Sequence, residues 1–485
     1  MPSSDLSSRV GDPGRAAPHV VVIGGGISGL TAALRLTQAL GSDRVILLEA
    51  ADRVGGKLGV SEVAGVPVDE GADSMRNRSP EGVGLAREVG LSADLVHPMA
   101  TAAGLWTRGR IRPLPPSVLG VPTDLIALRR SGVLSSMGIA RVWLERLLPG
   151  VDLDDDRSVG DLVTRRLGHE VTDRLVEPLL GGVYAGHAHA LSARACLASL
   201  VPLLADHRSL TAAAQAVASG GGELADGQKA PVFAGIRGGV GRLAEALAQR
   251  LGNQVRTQAT VRELSRLPGG RWRLAVGPSR SVEVIEADGL VLALPATSAG
   301  RLLVDVTPQA SRDLGRIEYA SVALVTLAVP TAAFHEPPTG SGFLVPPVEG
   351  RLVKAATYMS NKWGWVADRT GDTVIVRCSV GRHREEAALQ RSDTELVDAV
   401  MADLAIATGL SGPLEDARVT RWGGALPQYA VGHQARVRRI QDEIASIPGL
   451  AVCGAAYDGL GIPACVASAE SAATRILDEL PSPTQ

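Results

Sequence analysis

The sequence predicts an α/β plus α+β chain. A discontinuous Rossmann-type nucleotide-binding domain is interrupted by a helical domain and by a domain built on an antiparallel sheet. Three observations predict it. His19 to Ile23 is a continuous, mostly β-branched run that leads straight into Gly24-Gly25-Gly26-Ile27-Ser28-Gly29. A comparable unit stands at the far end, where Leu450 to Gly454 reads as a strand and glycine turn and a helix follows from Ala464 to Leu477. Between them lie a long stretch of helical periodicity and several alternating apolar runs.

The first strand is apolar along its whole length, as a parallel strand buried on both faces must be. Leu30 to Leu40 reads as the next helix, and Val45 to Leu48 as a second strand ending in Glu49-Ala50. In such a unit Gly24 permits a tight turn, Gly26 lets the backbone approach a pyrophosphate, and Gly29 allows close packing of helix on strand. The helix N-terminus, with Ile27 and Ser28, presents free N–H groups to the phosphates. Glu49 lies about 20 residues beyond, where an acid accepts hydrogen bonds from ribose hydroxyls, and an acid there disfavours a 2′-phosphate.

Arg53-Val54-Gly55-Gly56-Lys57 follows directly. It resembles the RxGGx motif of the large FAD family that includes amine oxidases, phytoene desaturases and porphyrinogen oxidases. The resemblance implies an amine oxidase-like flavoprotein with FAD as cofactor, and Arg53 and Lys57 near its pyrophosphate. Gly71-Ala72-Asp73-Ser74 is similar to the family segment that passes along the flavin ring. By the same resemblance Val261 meets the adenine through its backbone, and Trp422, Leu460, Gly461 and Ile462 lie at the cofactor.

Three further segments narrow the resemblance to the porphyrinogen oxidases. They are Glu177 to Gly186, Arg421 to Tyr429 with Gly432-His433, and the loop from Gly454 to Cys465. The Gram-positive coproporphyrinogen III oxidases fit best. The implied reaction is three two-electron oxidations of coproporphyrinogen III in haem synthesis, with O2 as acceptor and H2O2 as co-product. The flavin carries the chemistry, so no acid or base side chain is assigned. A disc-shaped substrate with carboxylate edges needs apolar faces and cationic rims. Tyr184 and the Gly181-Gly182 backbone are the candidates for the faces, and Arg76 and Arg78 for the rim.

The rest of the chain divides by pattern. Residues 1–17 read as a disordered lead-in, 18–90 as the first part of the FAD domain, and 91–210 as a helical domain facing substrate or membrane. Residues 211–234 read as a loop or linker, 235–295 as the second FAD part, 296–418 as an antiparallel substrate domain and 419–485 as the third FAD part. Val133 to Leu148 reads as an amphipathic helix or helix pair whose apolar side packs into the core.

Composition sets the outer bounds. A formal net charge of −2 gives no basic footprint for nucleic acid. The four cysteines have no CxxC or zinc-like spacing and read as buried thiols in a reducing cytosol. His187 and His189 form an HxH pair without a third ligand and read as peripheral, so no metal is expected. No apolar run approaches the ~18 residues of a membrane span, and no signal peptide is recognised at the N-terminus. The expected location is cytoplasmic, with transient contact to a membrane surface or to other haem-pathway enzymes left open. Protoporphyrinogen IX oxidation, amine or carotenoid oxidation on the same fold, and a non-catalytic escort role are the alternatives.

Overall fold

The computed structural model describes residues 20–151, 155–220 and 231–480. The expected lead-in and residues 221–230 of the expected linker lie outside the described residues.

Val20–Ile23, Val45–Leu48, Val255–Arg256, Gly289–Leu292 and Leu450–Val452 form one all-parallel sheet. In space the strand at 20–23 lies between those at 45–48 and 289–292, and 450–452 forms one edge. Three distant stretches of chain therefore build one layer. Alternate residues feed opposite cores. Val20, Val22 and Val291 pack under the Ile27–Leu40 and Ile462–Glu479 helices. Val21, Ile23, Leu290 and Leu292 pack with Val437 and Ile440 of the His433–Ala445 helix. Helices on both faces explain why these strands carry no polar alternation.

The second layer is a seven-stranded sheet, in the order 416–427, 319–330, 373–380, 353–358, 342–344, 103–107 and 110–113. Neighbouring strands are antiparallel except 342–344 with 103–107, which run parallel. Its outer face presents Val325, Leu327, Val376 and Cys378 to Leu396, Val400 and Leu404 of the Asp393–Thr408 helix. Each such fully buried aliphatic side chain contributes about 1.5–3 kcal/mol. A capping box of Ser392 and Glu395 starts that helix. The inner face is tied to the nucleotide-binding side: Arg418 pairs with Glu70 at 2.8 Å, and Trp422 Nε1 donates to the Glu70 carbonyl.

Three sequence expectations are corrected. Residues 91–210 are not helical throughout. The hairpin Ala103–Thr107 and Arg110–Pro113 joins the large sheet, and the first α-helix of the stretch begins at Leu125. The expected linker starts as a helix, Leu210–Ser219, because its alanines are strong helix formers and the Ser209 hydroxyl caps the Ala212 N–H. Within Val133 to Leu148 the helix is shorter, Ser136–Leu144, and Met137, Trp143, Leu144 and Leu147 are exposed instead of packed. Of that stretch Val133, Leu134 and Val142 are buried in the helical core, and half-buried Ile139 packs against it. A helical period reports which residues share a face, not whether a neighbour covers it.

Candidate nucleotide and substrate site

The glycine turn is built as the strand–turn–helix pattern demands. Gly24 adopts φ +108°, and a Cβ on Gly29 would sit 1.8 Å from the Gly24 carbonyl oxygen. A Cβ on Gly26 would meet nothing within 4 Å, so the turn is open on the side where a phosphate would approach. Glu49 bridges the first two strands of the sheet. Its Oε2 accepts from the Gly25 N–H at 2.6 Å and its Oε1 from the Ala51 N–H at 2.7 Å. The chain at 256–259 runs beside it, with Glu49 N donating to Arg256 O and Ala259 N to Glu49 O. Val261 begins the next strand, Val261–Arg266.

The second glycine turn docks on the first. Gly55 N donates to Gly25 O at 2.7 Å, and Gly26 and Gly55 form a parallel bridge. Arg53 lies over the Trp422 ring at 5.8 Å, and Lys57 Nζ lies 5.9 Å from the Tyr319 ring centre. Burial lowers the pKa of Lys57, and it has no carboxylate partner among the described residues. A side-chain-free cradle beside a half-buried, uncompensated cation fits a pyrophosphate.

The Gly71–Ser74 segment is held from below. A Cβ on Gly71 would lie 2.0 Å from the Lys57 carbonyl oxygen, so the two segments touch backbone to backbone. Arg377 Nη1 donates to the carbonyls of Asp69 and Gly71, each at 3.0 Å. Asp73 is buried between Lys362 at 2.7 Å and Arg377 at 3.3 Å. Burial alone would raise its carboxyl, but the two cations outweigh that and hold it well below the usual carboxylate range. Asp69, close by, moves the other way: burial and then the charge of Asp73 push it up to about 7.

The C-terminal unit closes the cradle. The Ile462–Glu479 helix has Gly461 as its N-cap and packs along the Ile27–Leu40 helix. Ser28 and Cys465 interact where the two helices begin, and the Gly454 N–H donates to Ser468 Oγ at 3.3 Å. Leu460 packs partly against the helical core.

The proposed substrate residues fall in two places. Arg76 and Arg78 are exposed, and Arg76 sits on a two-residue strand paired with Phe233. Tyr184 is buried, tilted 57° against Tyr429 with ring centres 5.5 Å apart. Gly182 of the Glu177–Tyr184 helix is exposed, whereas Gly181 lies against Arg382. The histidines pair separately, His187 with Glu385 at 3.1 Å and His189 with Asp161 at 3.5 Å. All four cysteines are buried and free.

Sequence reasoning missed Lys362 and Arg377, which secure the Gly71–Ser74 segment. Arg377 had a legible signal, a lone cation inside the apolar strand Thr373–Val380. Such a residue implies a buried partner, but its partner lies 304 positions away at Asp73.

The profile of the flavin-containing amine oxidoreductase family matches residues 27–477. The chain is 36% identical over 469 residues to the coproporphyrinogen III oxidase of Mycobacterium tuberculosis, covering 95% of this chain and 97% of that protein. It is 30% identical over 470 residues to the coproporphyrinogen III oxidase of Bacillus subtilis, covering 95% and 98%. A crystal structure from Exiguobacterium sp., provisionally named a protoporphyrinogen oxidase, superposes with a TM-score of 0.81 at 30% identity, covering 96% of this chain and 99% of that one.

Proposed function

Because the chain belongs to the flavin-containing amine oxidoreductase family, in the branch of the coproporphyrinogen III and protoporphyrinogen oxidases, we propose that it oxidises coproporphyrinogen III to coproporphyrin III in haem synthesis. The observation that carries this reading is the continuity of the likeness through the large sheet and the helical core. A nucleotide site alone would leave those parts free to differ.

FAD supplies a two-electron acceptor that O2 regenerates with release of H2O2, so three rounds carry a porphyrinogen to the aromatic porphyrin. The residues of this chain bind and orient. The Gly24–Gly29 turn and the helix start at Ile27 and Ser28 take the pyrophosphate, with positive charge from Arg53 and Lys57. Glu49, beside Ala50, accepts from the ribose, and the backbone of Val261 meets the adenine. Gly71, Ala72, Asp73 and Ser74 would line one side of a slot for the flavin ring, and Trp422 and the Leu460–Ile462 loop would line the others. Arg377, Lys362 and the Trp422–Glu70 bond keep that slot rigid. Gly182 and the inner face of the large sheet bound the substrate, with Arg76 and Arg78 at an open rim. Tyr184, at the end of the Glu177–Tyr184 helix, is buried against Tyr429.

No helix among the described residues is long and apolar enough to cross a membrane. The exposed Met137, Trp143, Leu144 and Leu147 are consistent with contact to a membrane surface or another haem-pathway enzyme.

The test is the stoichiometry of turnover in air. Three H2O2 per coproporphyrin III formed supports the whole reading. Porphyrin without H2O2 overturns O2 as acceptor. Absence of porphyrin from the flavin-loaded protein overturns the substrate class.

A further inference from the structure

Two cations outside the nucleotide cradle are buried without an acidic partner. Lys354 is 5% exposed and Arg382 is 6% exposed. Lys354 sits at the bulge of the Val353–Tyr358 strand, and Arg382 lies just past the end of the Thr373–Val380 strand. Arg382 Nη2 donates to the Val345 carbonyl at 3.2 Å, while its buried Nη1 has no hydrogen-bond partner. Nη1 would lie 2.4 Å from a Cβ on Gly181, so the guanidinium rests against the bare backbone of the Glu177–Tyr184 helix. The His383 N–H donates to the Ala185 carbonyl at 2.7 Å and pins the strand end to that helix.

No carboxylate lies within ion-pair distance of either cation among the described residues. Glu177, and after it Glu385, act on Arg382 only through their charge and not through an ion pair. One Glu177 oxygen accepts from the Ala188 N–H at 2.9 Å, and the other is buried and unpartnered. Lys and Arg are almost never fully buried unless paired, and two like charges close together compound the cost. Burial, with the charge of Arg382 second, brings the Lys354 ammonium down to about 7. Next to this pair the wall turns apolar and open: Gly182 is exposed, with Leu344 3.9 Å from where its Cβ would be.

We infer that Lys354 and Arg382 form a subsite for a carboxylate of the substrate, at the seam between the large sheet and the Glu177–Tyr184 helix. A carboxylate there offers Arg382 Nη1 its missing acceptor, and it gives Lys354 a counter-ion that the fold withholds. Under the porphyrinogen reading, on which the identity of the carboxylate rests, it is a propionate. Stability is then sacrificed in the free protein, where the cations repel, and recovered when the acid arrives.

The test compares Lys354→Met, Lys354→Arg and Arg382→Met with the flavin-loaded wild type. The probes are coproporphyrin III and its tetramethyl ester, titrated in the same detergent. Lys354→Met is expected to raise the Kd of the acid about tenfold, leave that of the ester unchanged and raise the KM for coproporphyrinogen III. Lys354→Arg restores the preference for the acid. The melting temperature of Lys354→Met is expected at or above wild type, because an unpaired buried charge is removed. A lysine with a purely structural role would instead lose stability and weaken both probes alike, which overturns the subsite. Unchanged acid affinity in Lys354→Met, or in Arg382→Met if that variant folds, overturns it too. If the wild type binds neither porphyrin, the porphyrinogen reading falls, and glutarate decides the subsite. A thermal shift by glutarate in wild type but not in Lys354→Met keeps a carboxylate site, and no shift in wild type removes it.

Discussion

The carboxylate of Glu49 closes the nucleotide turn from the neighbouring strand, accepting the Gly25 N–H at 2.6 Å while its other oxygen holds the Ala51 N–H. One side chain thus fixes the turn, and under the proposed function it also accepts from the ribose hydroxyls. Hydrogen bonds to a charged group contribute about 1.5–3 kcal/mol each. Glu49→Ala is therefore expected to weaken FAD binding about ten- to a hundredfold, measured by titrating apoprotein and following flavin fluorescence. Unchanged FAD affinity would remove Glu49 from the site.

The glycines of the same turn separate folding from binding. A methyl group on Gly29 would collide with the Gly24 carbonyl, whereas on Gly26 it meets open space. Gly29→Ala is expected to yield little folded protein. Gly26→Ala is expected to melt as the wild type does yet hold FAD about tenfold less tightly. Equal stability of the two variants would contradict the packing described.

Asp73 is the shared anion of Lys362 and Arg377. Removing one member of a buried ion cluster leaves uncompensated charge and costs about 3–5 kcal/mol. Asp73→Asn should lose that much in chemical denaturation, and adding Lys362→Met should recover part of it. A double variant as unstable as the sum of the two single ones would show that the groups do not interact.

His433 gives a pH signature. Its ring is 1% exposed and stacks on Tyr429 at 4.1 Å and 13°. Burial lowers its pKa from 6.5 to about 4, with Arg436 adding to the fall and Tyr457 and Asp156 opposing it. A depressed folded pKa contributes stability that is present above 6.5 and lost as pH falls toward 4. His433→Phe retains the stack and removes the titration. Its stability should change less than that of the wild type between those limits, and an identical acid limb would contradict this.

Much of the nucleotide side was legible because its signals are local. Gly24 to Glu49 is a contiguous strand–turn–helix–strand pattern, and each residue's task follows from its neighbours in sequence. The hairpin at 103–113 was lost inside a helical reading because its two strands are short and its sheet partner, 342–344, lies far along the chain. Lys354 and Arg377 are lone cations in apolar strands, Lys362 and Arg382 stand among other polar residues, and only tertiary packing shows which of the four have partners. The exposed face of the Ser136–Leu144 helix was unreadable for the opposite reason, since periodicity is identical whether or not anything covers the apolar side.

The most direct measurement of substrate choice gives coproporphyrinogen III and protoporphyrinogen IX in turn to the flavin-loaded protein in air and follows porphyrin fluorescence. A clearly higher kcat/KM for coproporphyrinogen III is expected. A preference for protoporphyrinogen IX, or turnover of neither beside rapid oxidation of an amine, would contradict it.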